Sequence, residues 1–179
     1  MERRIAKINI SSAGGTASSG SKTCKVTLPT SWVEEIGINR EHRELELTFD
    51  GTGITLSRRL SGPEFASRQL AQGHEVRVLR LYDGDALCST IYADFTEQTV
   101  MAENQAVPPI KTAFGNNPLP SWEDFQRFLE ERCIPRQRAG LREYLEALGL
   151  DKYDPLAIIE KTGGRMAEDQ QWLTMEVPT

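Results

Sequence analysis

The stretch Gly15-Thr16-Ala17-Ser18-Ser19-Gly20-Ser21-Lys22-Thr23 comes after a strand-like run and nearly spells the glycine-rich loop that cradles nucleotide phosphates. Such a loop needs lysine directly after its second glycine, so that the ammonium reaches the phosphates, and a helix N-terminus just beyond it. Here Ser21 intervenes and the chain runs on as a β-type segment ending in Pro29, so nucleotide hydrolysis is not expected. The other groups able to do chemistry are scattered. Asp151, Asp154, Glu160, Glu168 and Asp169 lie far in sequence from both histidines, His42 and His74, and form no acid pair or ligand cluster. Asp154 before Pro155 reads as a helix cap and Glu168-Asp169 as a solvated helix face. Arg132, Arg136, Arg138 and Arg142 form a denser basic group that could meet an acidic partner or DNA. Ion pairs with Glu130, Glu131 and Glu143 on the same helices explain them equally well. Cys24, Cys88 and Cys133 are odd in number and widely spaced, which suits reduced thiols better than a disulfide framework or zinc site. No enzyme activity, cofactor or metal is therefore expected.

Charge is informative once the chain is cut. Residues 1–60 hold nine Lys and Arg against seven acids, giving +2; with a total of −5 the remainder carries −7. A locally basic module on an acidic body can hold phosphates while the body binds something else. No apolar run approaches the roughly 18 to 20 residues that span a bilayer, and the start reads as a strand instead of a signal-peptide core, so a cytoplasmic protein without a membrane partner is expected.

The elements that position these residues can be read from periodicity. Arg3 to Ile10 alternates as a strand, Ser11 to Lys22 is a small-residue loop, and Lys25-Val26-Thr27-Leu28 alternates again. Pro29 to Gly37 reads as a short helix, with Trp32, Val33 and Ile36 at helical spacing. Glu44 to Phe49 and Ile54 to Ser57 flank Asp50-Gly51 as a hairpin. Residues 61–75 read as a linker with room for a helical turn. Residues 76–120 read as a second hairpin around Asp83-Gly84-Asp85, an extended piece at Thr99 to Ala102 and a proline-rich loop. Residues 121–179 read as helical: one helix from Ser121, a second from about Pro135 to Leu148, a third from Asp154, and a last short one over Arg165 to Leu173. Four short strands and one helix in under sixty residues have too little core to be comfortable alone, which points to dimerisation.

A basic residue, then Val26-Thr27-Leu28-Pro29, a helix ending in Gly37, and two alternating strands around a turn resemble the AbrB/MazE/SpoVT swapped-hairpin DNA-binding family. The resemblance covers about residues 3–58 and implies N-terminal hairpins that interlace with those of a second chain in a β-barrel; with the β-hairpin and small helical C-terminal domain read from periodicity after them, an α+β protein is expected. It places DNA contacts at Arg3, Arg4, Lys7 and Asn9 of the first strand, Ser21 and Lys22 at the loop end, and Lys25 and Thr27 of the second. Lys and Arg neutralise phosphates, Arg also grips guanine edges, and Asn, Ser and Thr add hydrogen bonds. Two copies about a dyad would face a roughly palindromic operator. The connection between the first two strands is longer than the family's usual one.

The run Trp122 to Arg132, with Pro135-Arg136, Tyr153-Asp154-Pro155-Leu156 and Gly164 to Asp169, is similar to a helical region of small bacterial proteins encoded with HipA-like kinases. That similarity implies a toxin-like kinase as partner. The expected function is a dimeric transcriptional regulator, the antitoxin of a toxin-antitoxin pair, repressing its own operon. The alternative is a protein-interaction adaptor that uses the N-terminal unit only to dimerise.

Overall fold

The computed structural model describes residues 2–12 and 20–178. The chain divides into two compact units, residues 1–59 and residues 60–179. The Gly15 to Ser19 part of the phosphate-loop-like stretch lies outside the described residues. Gly20 is a turn residue, and the chain passes from it into a strand, not into a helix.

In the first unit β1 (Ile8–Ser12) pairs antiparallel with β2 (Lys22–Val26), and β3 (Leu45–Phe49) with β4 (Ile54–Arg58). Between them stands α1 (Thr30–Glu35), preceded by Pro29 and closed at Gly37, whose φ of +81° only glycine adopts cheaply. The β3–β4 turn is tied by Asp50, whose Oδ1 accepts hydrogen bonds from Thr52 N–H, Thr52 O–H and Gly53 N–H, each at 2.8 Å. Those donors, led by the Thr52 hydroxyl, hold the carboxyl down to about 2. Each hairpin is a separate two-stranded sheet, so no closed barrel forms within one chain among the described residues. None of the described residues of this unit is buried.

The second unit holds the core. Its sheet runs in the order β7-β6-β5-β8, all antiparallel, from β5 (Val76–Asp83), β6 (Ala86–Asp94), β7 (Thr99–Asn104) and β8 (Gln171–Glu176). On one face α3 (Trp122–Glu131), α4 (Leu141–Leu148) and α5 (Pro155–Thr162) bury Phe125, Phe128, Leu129, Leu145, Ile158 and Ile159 against Leu79, Leu81, Ile91 and Leu173. On the other, α2 (Gly62–Ala71) packs Ala66 against Val76, Val78 and Tyr92. Regions 76–120 and 121–179 are thus one unit built on one sheet.

Three elements differ from expectation. The 61–75 linker contains α2, started by a capping box in which Ser61 and Glu64 exchange hydrogen bonds. The expected helix over Arg165 to Leu173 is a turn leading into β8, because pairing with β5 dominates local helix preference. The helix expected from Pro135 begins only at Leu141, after Gly140 turns the chain at φ +79°.

Gly62 is required by contact. A Cβ there would sit 1.9 Å from Cε2 of Tyr92, so Gly62→Ala is expected to destabilise the second unit by about 1 to 3 kcal/mol in thermal or urea unfolding.

Acid stability of the second unit rests on anchored carboxylates, of which Asp94 and Asp169 are held low along with Asp124 and Glu176. Asp94 is fully buried; burial alone would raise it, but His74 at 2.7 Å and the Thr96 and Glu97 N–H groups together bring it below the usual carboxylate range. Asp169 is lowered chiefly by Arg132. Depressed folded values mean stabilisation that is complete above the ordinary carboxylate value and lost as pH falls through the folded one. Unfolding free energy of the second unit is therefore expected to fall below about pH 4. Asp94→Asn should flatten that acid limb while lowering stability at neutral pH.

Candidate nucleic-acid interface

The β1–β2 register sorts the side chains of the first hairpin. Ile8 opposes Val26, Ile10 opposes Cys24 and Ser12 opposes Lys22, while Asn9 opposes Lys25 and Ser11 opposes Thr23. Alternation puts the first set on one side of the ribbon and the second on the other. Lys7 and Thr27 continue the parity of Asn9 and Lys25 just beyond the paired residues. Lys7, Asn9, Lys25 and Thr27 therefore form one polar, doubly cationic side, all exposed.

Arg4 joins them. Together with Lys7, Asn9 and Thr27 it lines a concavity of about 430 Å³ whose lining also includes Pro29 and Trp32. The Trp32 indole N–H donates to Glu2 at 2.6 Å, which ties the segment before β1 to α1. Helical spacing alone marks Trp32 only as an apolar helix residue; a tryptophan one turn from the Thr27-Leu28-Pro29 corner is the signal in the sequence that points to this lining.

The remaining expected contacts are not gathered there. Arg3 and Arg4 precede β1 instead of lying in a strand, because pairing starts only at Ile8. Arg3 is exposed. Lys22 falls on the side of Ile10 and Cys24, opposite to Lys25, and Ser21 sits half-buried just ahead of β2.

The second hairpin is sorted likewise. Leu45, Leu47, Phe49, Ile54 and Leu56 share one side, and Glu46, Thr48, Thr55 and Ser57 the other. Across both hairpins the apolar sides face solvent in a single chain: Ile8 is 62% exposed, Ile10 64%, Leu47 64%, Phe49 72% and Ile54 68%.

Elsewhere several of the charged groups are structurally engaged. Arg132 is buried and bonds Asp169, which is therefore no solvated helix residue. Arg136 pairs with Glu130 and lies 4.2 Å over the Tyr153 ring, and Arg142 pairs with Glu146. Asp154 caps α5 by accepting from the Leu156 and Ala157 N–H groups. Among the described residues no group of three His, Cys, Asp or Glu could hold a metal ion, and no helix is long and apolar enough to cross a membrane. Cys88 and Cys133 are buried free thiols and Cys24 an exposed one; burial pushes Cys133 up to about 11 and so away from reactivity.

Comparison with protein-family models, curated proteins and solved structures finds no match for this chain.

Proposed function

We propose that the chain is a homodimeric DNA-binding regulator of the AbrB/MazE/SpoVT type, acting as the antitoxin and repressor of a toxin-antitoxin operon. The observation that carries this reading is the sorting of the first hairpin. One register gives a side of Lys7, Asn9, Lys25 and Thr27 and an opposite side of Ile8, Ile10 and Val26, and none of the described residues of the same chain buries the latter. Leaving several large apolar side chains in water forgoes roughly 1.5 to 3 kcal/mol for each. A second copy, its hairpins interlaced with the first, covers both apolar sides and doubles the cationic ones about a dyad. The result is a barrel completed between two chains.

On this reading Lys7, Lys25 and the Arg3–Arg4 lead-in neutralise phosphates, while Asn9 and Thr27 are placed for groove or backbone hydrogen bonds. Repression is steric and needs no catalysis. The net −7 of residues beyond 60 keeps the second unit off the DNA and leaves it to bind a protein partner of the toxin or HipA-like kinase class.

Lys25→Glu is expected to weaken binding to the chain's own promoter DNA by about 100-fold or more, because the change occurs in both copies. It should also reduce the slope of log affinity against log salt by about 2, with the dimer unaltered. Unchanged gel shifts would count against the DNA reading. A dimer of the unaltered chain without any salt-sensitive DNA binding would leave the adaptor role instead.

A further inference from the structure

The two edges of the second unit's sheet are treated differently. In an antiparallel ladder alternate residues turn their N–H and C=O groups toward the neighbouring strand, and the others turn them outward. On β8 the outward groups are closed off over the first half of the strand. Gln171 N–H donates to Asp169, the Gln171 carbonyl accepts from Arg132 at 3.0 Å, and Leu173 N–H donates to the Gly163 carbonyl at 2.7 Å. On β7 the Gln105 N–H to Cys88 carbonyl bond at 2.9 Å sets the phase. Thr99, Met101 and Glu103 point their backbone groups to β6, and Val100, Ala102 and Asn104 point theirs outward. Among the described residues β7 is paired only with β6.

Lysine, proline and a bulge are all missing from this edge, Thr-Val-Met-Ala-Glu-Asn, and Glu103 is its one charged residue. Its charge is one-sided. Residues 95–110 contain Glu97 and Glu103 and no Lys or Arg; Asp94 just before them is buried against His74, and Lys111 just after them is paired with Asp83. Glu103 accepts from Gly62 N–H, at the N-terminus of α2, where the next carboxylate is the capping Glu64. Where β7 ends at Asn104, an uncharged concavity of about 310 Å³ opens, lined by Val107, Pro109 and Pro118 as well as Thr112, Asn116 and Asn117.

We propose that β7 is a strand-addition site that takes an extended, lysine- or arginine-bearing segment of a protein partner. Main-chain hydrogen bonds to Val100, Ala102 and Asn104 supply the contact, and the acidic surround selects for basic side chains. A second copy of this chain is disfavoured, because antiparallel self-pairing would bring two acidic edges together. A neutral side chain at the end of the incoming segment fits the concavity beyond Asn104. The site is independent of the DNA reading of the first unit.

The test uses the full-length, isotope-labelled protein and amide hydrogen exchange. The probes are a synthetic seven-residue peptide alternating Lys and Val, and its counterpart with Glu for Lys. The lysine peptide is expected to slow exchange at Val100, Ala102 and Asn104 by about tenfold at saturation, and the glutamate peptide to leave it unchanged. Ala102→Pro, which removes an outward N–H without touching the β6 ladder, should abolish the effect. Should that variant fail to fold, Thr99→Lys serves in its place, since a cation on the edge should weaken the lysine peptide several-fold. Equal protection by both peptides, no protection by either, or protection that rises with protein concentration in the absence of peptide would each overturn the proposal.

Discussion

Leu47→Asp is expected to convert the dimer to a monomer and to abolish DNA binding with it. Leu47 lies in the middle of β3, opposite Leu56, on the apolar side of the second hairpin. In one chain it is largely exposed, so an aspartate there would cost an isolated subunit little. In the proposed interlaced dimer the same position would be core, and each copy would lose the roughly 1.5 to 3 kcal/mol of a buried leucine while desolvating a carboxylate. Two symmetry-related copies give about 3 to 6 kcal/mol, so the dimer dissociation constant should rise by roughly 10² to 10⁴. Sedimentation velocity reads the mass change, and a gel shift with promoter DNA reads the coupled loss. Thr48→Asp, one residue away on the polar side, should leave both nearly unchanged, and that contrast separates a specific interface from general acidity.

Arg132→Ala is expected to be the most damaging truncation of a charged side chain among the ion pairs of the second unit. The side chain is buried and makes five hydrogen bonds: Nε to the Gly164 carbonyl, Nη1 to Asp169 and Gln171, and Nη2 to Asp169 and the Gln171 carbonyl. It thereby ties the end of α3 to the turn that launches β8. Removing it strands two carbonyls and a carboxylate, and breaking such a buried pair costs roughly 3 to 5 kcal/mol. Asp169 is about one-third exposed, so water recovers part of that, and roughly 3 kcal/mol is the expected loss. For a unit of this size the melting temperature should fall by on the order of 10 °C in calorimetry. Arg132→Lys should recover little, since an ammonium cannot span Gly164, Asp169 and Gln171 together.

The parts of the fold legible in the chain are those that local rules decide. The alternation of Glu44 to Phe49 and Ile54 to Ser57 around an Asp-Gly turn yields the β3–β4 hairpin, and the Ser121–Asp124 spacing yields a helix whose Trp122, Phe125, Phe128 and Leu129 pack inward. Asp154-Pro155 starts α5 as its cap chemistry requires. The failures lie where a distant partner decides. Gln171 to Glu176 becomes a strand because β5 offers an unpaired edge about ninety residues earlier, a fact invisible to a local window. The 61–75 segment misleads for another reason: Ser61-Gly62-Pro63 looks like a breaker, yet Ser61 with Glu64 three residues on is a helix start. The candidate interface is half legible. The family resemblance points to Arg3, Arg4, Lys7, Asn9, Ser21, Lys22, Lys25 and Thr27, but the pairing register is needed to show that Lys7, Asn9, Lys25 and Thr27 share a side and that Lys22 does not. Where pairing begins also has to come from the fold, and it leaves Arg3 and Arg4 ahead of β1 instead of within it.

Sedimentation equilibrium of the unaltered full-length chain at micromolar concentration bears most directly on whether a second copy covers the two hairpins. A mass twice the 20.1 kDa of one chain is the predicted result. A single species of 20.1 kDa would contradict it, and with it the doubled cationic surface on which the proposed operator binding depends.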